Sequence, residues 1–158
     1  MRPYPKNTRL PHDTYTNSEL RFHIDFHAFP GISRWTPLVA EALWGAVLQQ
    51  RERSDIELFA ACLMPDHLHL VVGPNQRDII AFVNAWKSFS TKCARDVGHR
   101  GVLWQPGWYD RVVGADQEFH EVVDYVVRNP VTAELCRKVE EWPQTWAWYF
   151  QNDSKQTR

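Results

Sequence analysis

The sequence of 158 residues predicts an α+β fold of the ferredoxin-like type, in the order β-α-β-β-α-β-α, with a central antiparallel sheet and helices packed on it. Two observations carry this prediction. Long segments with apolar residues at helical spacing alternate with shorter segments of strand character, which is typical of a mixed fold. In addition, only Pro65 and Asp66 separate the second and third strand-like segments, and so short a connection indicates an antiparallel hairpin.

The first predicted strand covers residues 20–27, where apolar and polar side chains alternate as in a half-buried strand. Thr36 and Pro37 then provide the N-cap and the first residue of a helix that ends near residues 51–53. Pro130 is expected to end or kink the last helix. The other elements follow from periodicity and from their glycine or proline boundaries. They are strands at 57–64, 67–73 and 102–113, the last interrupted by Pro106 and Gly107, and helices at 77–97 and 116–129.

Composition predicts a single globular domain over residues 1–150, followed by a polar, loosely held tail at residues 151–158. Apolar residues make up 44% of the chain and charged residues 23%, as in soluble proteins. No apolar stretch reaches the about 20 residues that span a bilayer. The first 18 residues are expected to be loosely held, and they lack the apolar core of a signal peptide. We therefore expect a cytoplasmic protein whose three cysteines are reduced.

Two histidines on the third predicted strand, His67 and His69, form the first candidate site. At a spacing of two residues both side chains project from one face, about 6.6 Å apart along the strand, so they can converge on one metal ion. The alternative is that they cap polar groups at a sheet edge, because His-x-His also arises by chance. His23 and His27, four residues apart on the first strand, are expected to lie at the surface.

Tyr125 and Asn129 form the second candidate site, since residues four apart are neighbours on one helix face. An amide oxygen is a suitable ligand for a divalent cation such as Mg²⁺ or Mn²⁺. A cation beside the phenol would help it to act as a nucleophile. The alternative is that Tyr125 is a core aromatic and Asn129 a helix-end residue, which are common roles for these residue types.

The net charge of −1 neither favours nor excludes a nucleic-acid partner. Residues 86–113, however, carry five basic and only two acidic side chains, and such a segment can meet phosphates. A solvated helix face would have the same composition. The five basic residues are Lys87, Lys92, Arg95, Arg100 and Arg111.

Five sequence blocks occur in order along the chain, at residues 64–72 (MPDHLHLVV), 87–90 (KSFS), 103–105 (LWQ), 108–113 (WYDRVV) and 124–131 (DYVVRNPV). Together they resemble the single-tyrosine HUH (His-hydrophobe-His) transposases of the IS200-like superfamily, and most closely the branch associated with repetitive extragenic palindromes (REP). The resemblance covers about residues 20–148. The His-x-His core is common in proteins, whereas the ordered series of five blocks is specific.

This resemblance implies a metal-dependent endonuclease and strand transferase for single-stranded DNA, acting in transposition or in the mobilisation of repeat elements. Tyr125 matches the nucleophile, which would form a 5′-phosphotyrosine link and release a 3′-hydroxyl. His67, His69 and Asn129 match the ligands of a divalent metal, Mg²⁺ or Mn²⁺. The DNA partner would be a hairpin with a flanking single strand, and the basic residues expected to contact it are Lys87, Lys92, Arg95 and Arg111.

The resemblance also implies a cytoplasmic, nucleoid-associated protein without a membrane partner, with a monomer favoured over a homodimer. A catalytically silent protein of the same fold, binding DNA by sequence or hairpin shape, is the main alternative. A histidine-triad nucleotide hydrolase would need a third alternating histidine, but residue 71 is valine. A purely structural metal site is disfavoured because two imidazoles and an amide leave open coordination positions, as catalytic sites do.

Overall fold

The computed structural model of the protein describes residues 9–114 and 116–150. It confirms the predicted α+β fold, in which an antiparallel sheet carries helices, and it adds elements at both ends. In chain order the elements are α1 (His12–Thr16), β1 (Arg21–His27), α2 (Pro37–Arg53), β2 (Ile56–Leu63), β3 (His67–Pro74), α3 (Ile79–Asp96), β4 (Tyr109–Val113), α4 (Asp116–Thr132), a short 3₁₀ helix (Val139–Glu141) and β5 (Thr145–Ala147).

The five strands form one sheet in the order β4-β1-β3-β2-β5, and each neighbouring pair is antiparallel. The predicted hairpin between β2 and β3 is present, and the Met64 N–H donates to the His67 carbonyl at 2.8 Å to close its turn. β3 lies in the middle of the sheet, between β1 and β2. The two histidines predicted as a metal site therefore stand on the central strand.

Helices cover both faces of the sheet. One face carries Phe22, Ile24 and Phe26 of β1 and packs in a core with the apolar sides of α2 and α3. The other face carries Val71 and packs in a second core with α4, whose inward side chains include Phe119. Since side chains alternate along a strand, the residues of β1 and β3 between those of the first core point toward the α4 side.

The helix boundaries follow local chemistry. As predicted, Thr36 caps α2, its hydroxyl oxygen accepting the Val39 N–H at 3.3 Å, and Pro37 is the first helical residue. Of the two effects predicted for Pro130, ending the last helix or kinking it, the first does not occur, because α4 runs past the expected end at residue 129 to Thr132. A proline so close to a helix end removes a single backbone hydrogen bond, and this proline is buried.

Other differences from the prediction arise at loops and ends. The interruption expected at Pro106 and Gly107 is present, with a φ of +76° at Gly107, but before it only Trp104 pairs, in an isolated bridge to Ala28, and the regular strand begins at Tyr109. The prediction that the first 18 residues are loosely held is wrong for residues 9–18, since they include α1 and the fully buried Tyr15. Residues 1–8 and the predicted tail at 151–158 lie outside the described residues.

Candidate active site

Strand pairing collects polar side chains on the α4 side of the sheet. In the β1–β3 register Asp25 lies opposite His69 and His27 lies opposite His67. In the β1–β4 register His23 lies opposite Arg111. Directly opposed residues in an antiparallel pair share a face, so these side chains form one polar surface beside α4.

The two histidines predicted as metal ligands meet on this surface. Their Nε2 atoms lie 3.0 Å apart, and the two rings are nearly perpendicular with centroids 4.6 Å apart. The Nδ1 atom of His67 lies 2.7 Å from a carboxylate oxygen of Asp66. The His27 ring stacks on the His67 ring, with centroids 5.1 Å apart. The pair is therefore oriented by neighbours on two sides.

Behind His69 lies a buried group that the sequence interpretation missed. The Nδ1 atom of His69 is 2.5 Å from Oδ1 of Asp25, and the Nε2 atom of His23 is 3.0 Å from the same oxygen. The prediction that His23 lies at the surface is wrong, since its residue is 5% exposed, and His27 is half-buried. His23 packs edge-on against Tyr125 of α4, whereas His27 packs against the rings of His67 and Tyr109.

Burial and neighbouring charges shift the protonation of this cluster. Burial acts to raise the pKa of Asp25, but hydrogen bonds from His23 and His69 outweigh it and hold that pKa well below its ordinary value. The pKa of His67 is lowered mainly by burial, and the neighbouring His69 lowers it further. The pKa of His27 is also lowered mainly by burial, with His67 as the second cause. The carboxylate is thus ionised and His67 neutral near pH 7, which is the form of imidazole that binds a metal.

The turn that leads into β3 is held by hydrogen bonds to its backbone carbonyls. The Trp35 indole N–H donates to the Met64 carbonyl at 2.9 Å, and the Trp35 backbone N–H donates to the Pro65 carbonyl at 2.8 Å. The Asp66 carbonyl accepts from the Ala28 N–H at 2.8 Å. Because these carbonyls are paired, the turn gives His67 a fixed starting position on the strand.

We expect replacement of Trp35 by phenylalanine to loosen this turn. The change leaves the carbonyl of the buried Met64 without its donor, which costs about 1–3 kcal/mol in the free energy of unfolding. Urea denaturation of the purified protein measures the loss. Trp148, which is 40% exposed, provides the control, and its replacement by phenylalanine should change stability by less than about 0.5 kcal/mol. Equal effects of the two substitutions would contradict this account of the turn.

The predicted nucleophile, Tyr125, lies beside the histidines of the same chain. Its ring centroid is 5.9 Å from that of His69 and 5.9 Å from that of His23, and it meets both rings edge-on. The tyrosine is 45% exposed. The sequence of α4 explains this placement, because the apolar residues at helical spacing face the sheet and Tyr125 lies at the margin of that apolar face. The phenol is therefore both close to the imidazoles and open to solvent.

Asn129 stands one turn beyond Tyr125 on α4 and is half-buried. Its side-chain amide makes no hydrogen bond to another residue within 9–114 and 116–150. The contacts that join Tyr125 to the histidines thus do not extend to Asn129. Its predicted role as a third metal ligand stays a prediction.

The four predicted DNA-contacting residues lie in different places. Lys87 on α3 donates its ammonium hydrogens to the Gln105 carbonyl at 2.8 Å and to the Gly107 carbonyl, and it thereby holds the loop before β4. Lys92 and Arg95 are exposed on α3, which lies with α2 on the opposite face of the sheet from α4. Lys92 pairs with Asp96. Of the four, only Arg111 shares the polar surface with the histidines. Contact of all four with DNA stays a prediction.

The donor atoms on this surface fit a divalent metal. Neighbouring ligands of an octahedral ion with bonds of about 2.1 Å lie about 3.0 Å apart, and the two Nε2 atoms have that separation. A second set of donors, His23, Asp25 and His69, also lies close enough together to hold an ion, but all three residues are buried. In the histidine pair His69 is buried but His67 is partly exposed, so a metal held by the pair could still reach a substrate on the His67 side.

A sheet that presents two convergent imidazoles to an exposed tyrosine on a packed helix is the arrangement expected of the single-tyrosine transposases. The chain belongs to the IS200-like transposase family, because the family model described as "Transposase IS200 like" matches residues 19–129. Within residues 9–114 and 116–150, none of the helices has the length and apolar character needed to cross a bilayer.

Two comparisons describe the chain's relatives. A protein of Haemophilus influenzae, named "Putative REP-associated tyrosine transposase", is 26% identical over 110 residues, and the match covers 62% of this chain and 62% of that protein. The chain thus spans less than two thirds of the length of this curated relative. The solved structure of a REP-associated tyrosine transposase bound to a REP hairpin superposes with a TM-score of 0.68 at 17% identity, covering 90% of this chain and 83% of that chain. The structural likeness supports the fold.

Proposed function

We propose that this protein is a metal-dependent endonuclease and strand transferase that cuts single-stranded DNA beside a hairpin through a 5′-phosphotyrosine intermediate. The single observation that carries the proposal is the exposed ring of Tyr125 beside the ring of His69, whose Nε2 converges with that of His67. The reaction would serve DNA transposition or the mobilisation of repeat elements in the cytoplasm, in association with the nucleoid.

The chemistry assigned to Tyr125 is nucleophilic attack on a phosphodiester. The phenolic oxygen forms a bond to phosphorus while the bond from phosphorus to the 3′-oxygen breaks. The phenolic proton leaves to solvent, which reaches this exposed side chain, and the departing 3′-oxygen takes up a proton. The phosphotyrosine conserves the bond, so a 3′-hydroxyl can attack it in the reverse sense and join strands without ATP.

His67 and His69 would hold Mg²⁺ or Mn²⁺, with Asn129 as a third ligand one turn after the nucleophile. When bound, the metal would polarise the phosphate and offset the charge that develops during attack. The histidines are placed on the central strand and the tyrosine on a helix packed against it, and such rigid elements hold a reacting geometry better than loops do. Because tyrosine and histidines meet within one chain, we propose that the nucleophile acts in cis, in a monomer.

A hairpin with a flanking single strand is the proposed DNA partner. The structural neighbour bound to a REP hairpin supports this choice, since the two proteins share their fold. Arg111 supports it as well, because its exposed side chain stands on edge strand β4 opposite His23. Its guanidinium makes no ion pair with any of the described residues, so it is available to a phosphate.

We expect replacement of Arg111 by alanine to weaken binding of a hairpin oligonucleotide that carries a single-stranded flank. Loss of one phosphate contact should reduce the slope of log affinity against log salt by about 1. Fluorescence anisotropy over a series of salt concentrations measures that slope. The matched control replaces Arg53, which pairs with Asp55 at the end of α2, a helix on the opposite face of the sheet from α4, and it should keep the wild-type slope. An unchanged slope for the Arg111 variant would remove this residue from the interface.

The decisive test of the proposed function is formation of a covalent adduct. Purified protein is mixed with hairpin oligonucleotides whose single-stranded flanks are labelled, in the presence of Mn²⁺ or of a chelator, and resolved under denaturing conditions. The proposal predicts a labelled protein–DNA band with Mn²⁺ and none with the chelator. Hairpin binding without an adduct, across flanks of varied sequence, would favour the catalytically silent DNA-binding protein.

A further inference from the structure

Both candidate metal-binding histidines turn the same ring nitrogen toward a carboxylate. The Nδ1 atom of His69 faces Asp25 at 2.5 Å, and the Nδ1 atom of His67 faces Asp66 at 2.7 Å. An ionised carboxylate can only accept a hydrogen bond, so each Nδ1 carries the hydrogen. Each Nε2 is then left with a lone pair. The two imidazoles are thereby held in one tautomer, the one that presents Nε2 as a ligand.

With this tautomer, the contact between the two histidines brings two lone pairs together. Their Nε2 atoms lie 3.0 Å apart, yet two lone pairs cannot form a hydrogen bond with each other. Two acceptors that point at one region of space are stabilised by a cation there. The network of His67, His69 and their carboxylates therefore prepares this region for a metal ion.

The buried donors behind His69 are less suited to direct ligation. The separation of 2.5 Å between Asp25 and His69 is shorter than the about 3.0 Å expected between neighbouring ligands of an octahedral ion. The two groups are joined by a hydrogen bond to an ionised carboxylate, a kind that is shorter and stronger than a hydrogen bond between neutral groups. The side chains of His23, Asp25 and His69 are at most 4% exposed, which leaves no open position for a phosphate.

We propose that Asp25 is a positioning residue, which fixes the Nδ1–H tautomer and the orientation of His69 without binding the metal itself. The inference rests on the proposed function only in taking His67 and His69 as the metal ligands. His23 assists by donating a second hydrogen bond to Asp25. Asp66 does for His67 what Asp25 does for His69, but its side chain is 56% exposed whereas that of Asp25 is 3% exposed. Water screens the outer pair, so the inner carboxylate has the larger effect.

The test compares Asp25→Asn with the matched variant Asp66→Asn by titrating Mn²⁺ into each protein in a calorimeter, without DNA. Asparagine keeps the shape of aspartate but can turn its amide N–H toward Nδ1, which favours the wrong tautomer. We expect Asp25→Asn to weaken Mn²⁺ binding by about 10- to 100-fold, as is typical when a carboxylate behind a ligand is lost. Asp66→Asn should weaken it less. Raising Mn²⁺ should restore much of the adduct formation of Asp25→Asn, which structural damage would not allow.

Unchanged Mn²⁺ affinity in Asp25→Asn would overturn the proposal. So would loss of Mn²⁺ binding in His23→Ala together with its retention in His67→Ala, because the buried donors would then be the ligands. Should Asp25→Asn fail to fold, long-range ¹H–¹⁵N NMR of the metal-free wild-type protein decides the matter, since it reports which nitrogen of His69 carries hydrogen. Hydrogen on Nδ1 supports the proposal, and hydrogen on Nε2 contradicts it. Wild-type protein that binds Mn²⁺ but forms no DNA adduct would refute the nuclease activity and leave the positioning role standing.

Discussion

Replacement of Tyr125 by phenylalanine is expected to abolish the covalent protein–DNA adduct while leaving hairpin binding within a few-fold of the wild-type value. The substitution removes one oxygen atom from a side chain that is 45% exposed, so it costs little stability. It removes the atom that attacks phosphorus, and loss of a nucleophile lowers the rate of a covalent reaction by at least about a thousand-fold. Denaturing electrophoresis with labelled oligonucleotides measures the adduct, and anisotropy measures the binding.

The matched control is replacement of Tyr149 by phenylalanine. Tyr149 follows β5, contacts Trp148 and Phe150 and packs against the second core. This variant should form the adduct at the wild-type rate. An undiminished adduct in the Tyr125 variant would show that another side chain is the nucleophile.

Replacement of His67 by alanine is expected to have the second largest effect, namely loss of both Mn²⁺ binding and cleavage. The change leaves His69 as the one imidazole of the former pair, and His69 retains its hydrogen bond to Asp25. A lone imidazole holds a divalent ion weakly compared with a chelating pair, so Mn²⁺ affinity should fall by at least about 100-fold. Calorimetric titration measures the affinity, and the adduct assay measures the cleavage.

His120 offers the control for this substitution, because it is exposed on α4 and contacts only Phe119 among the ring pairs of the described residues. Its replacement by alanine should keep Mn²⁺ binding and cleavage. Wild-type Mn²⁺ affinity in the His67 variant, with the fold intact, would exclude the histidine pair as the metal site.

The sequence predicted the secondary structure best where the pattern is local. The alternation at residues 20–27 predicted β1 to within one residue, since a strand buried on one face imposes a period of two. The short connection at Pro65 and Asp66 predicted the hairpin that presents the histidines. Elements of three to five residues, α1 and β5, were missed because such short segments carry too few residues to show a period.

Prediction of the candidate site was limited because the sequence does not show which helix packs on which face of the sheet. Alternation places His23, Asp25 and His27 on one face of β1, but it does not reveal that a helix nearly 100 residues later in the chain covers that face. The alternation alone therefore predicts a surface position for His23 and gives Asp25 no role. The signal available was that β1 and β3 each carry two histidines on one face, which strand pairing can bring together. The pairing of β1 with β3 is a long-range contact, and no local pattern determines it.

The central claim is that the oxygen of Tyr125 becomes bonded to the 5′-phosphate of cleaved DNA. Trypsin cleaves after Arg111 and Arg128, and the resulting peptide, residues 112–128, contains Tyr125 as its only tyrosine. Nuclease trimming of the adduct followed by tandem mass spectrometry of this peptide locates the attached nucleotide. The account predicts a nucleotide-phosphate mass on Tyr125. The same mass on any other residue, or an unmodified peptide from a purified adduct, would contradict it.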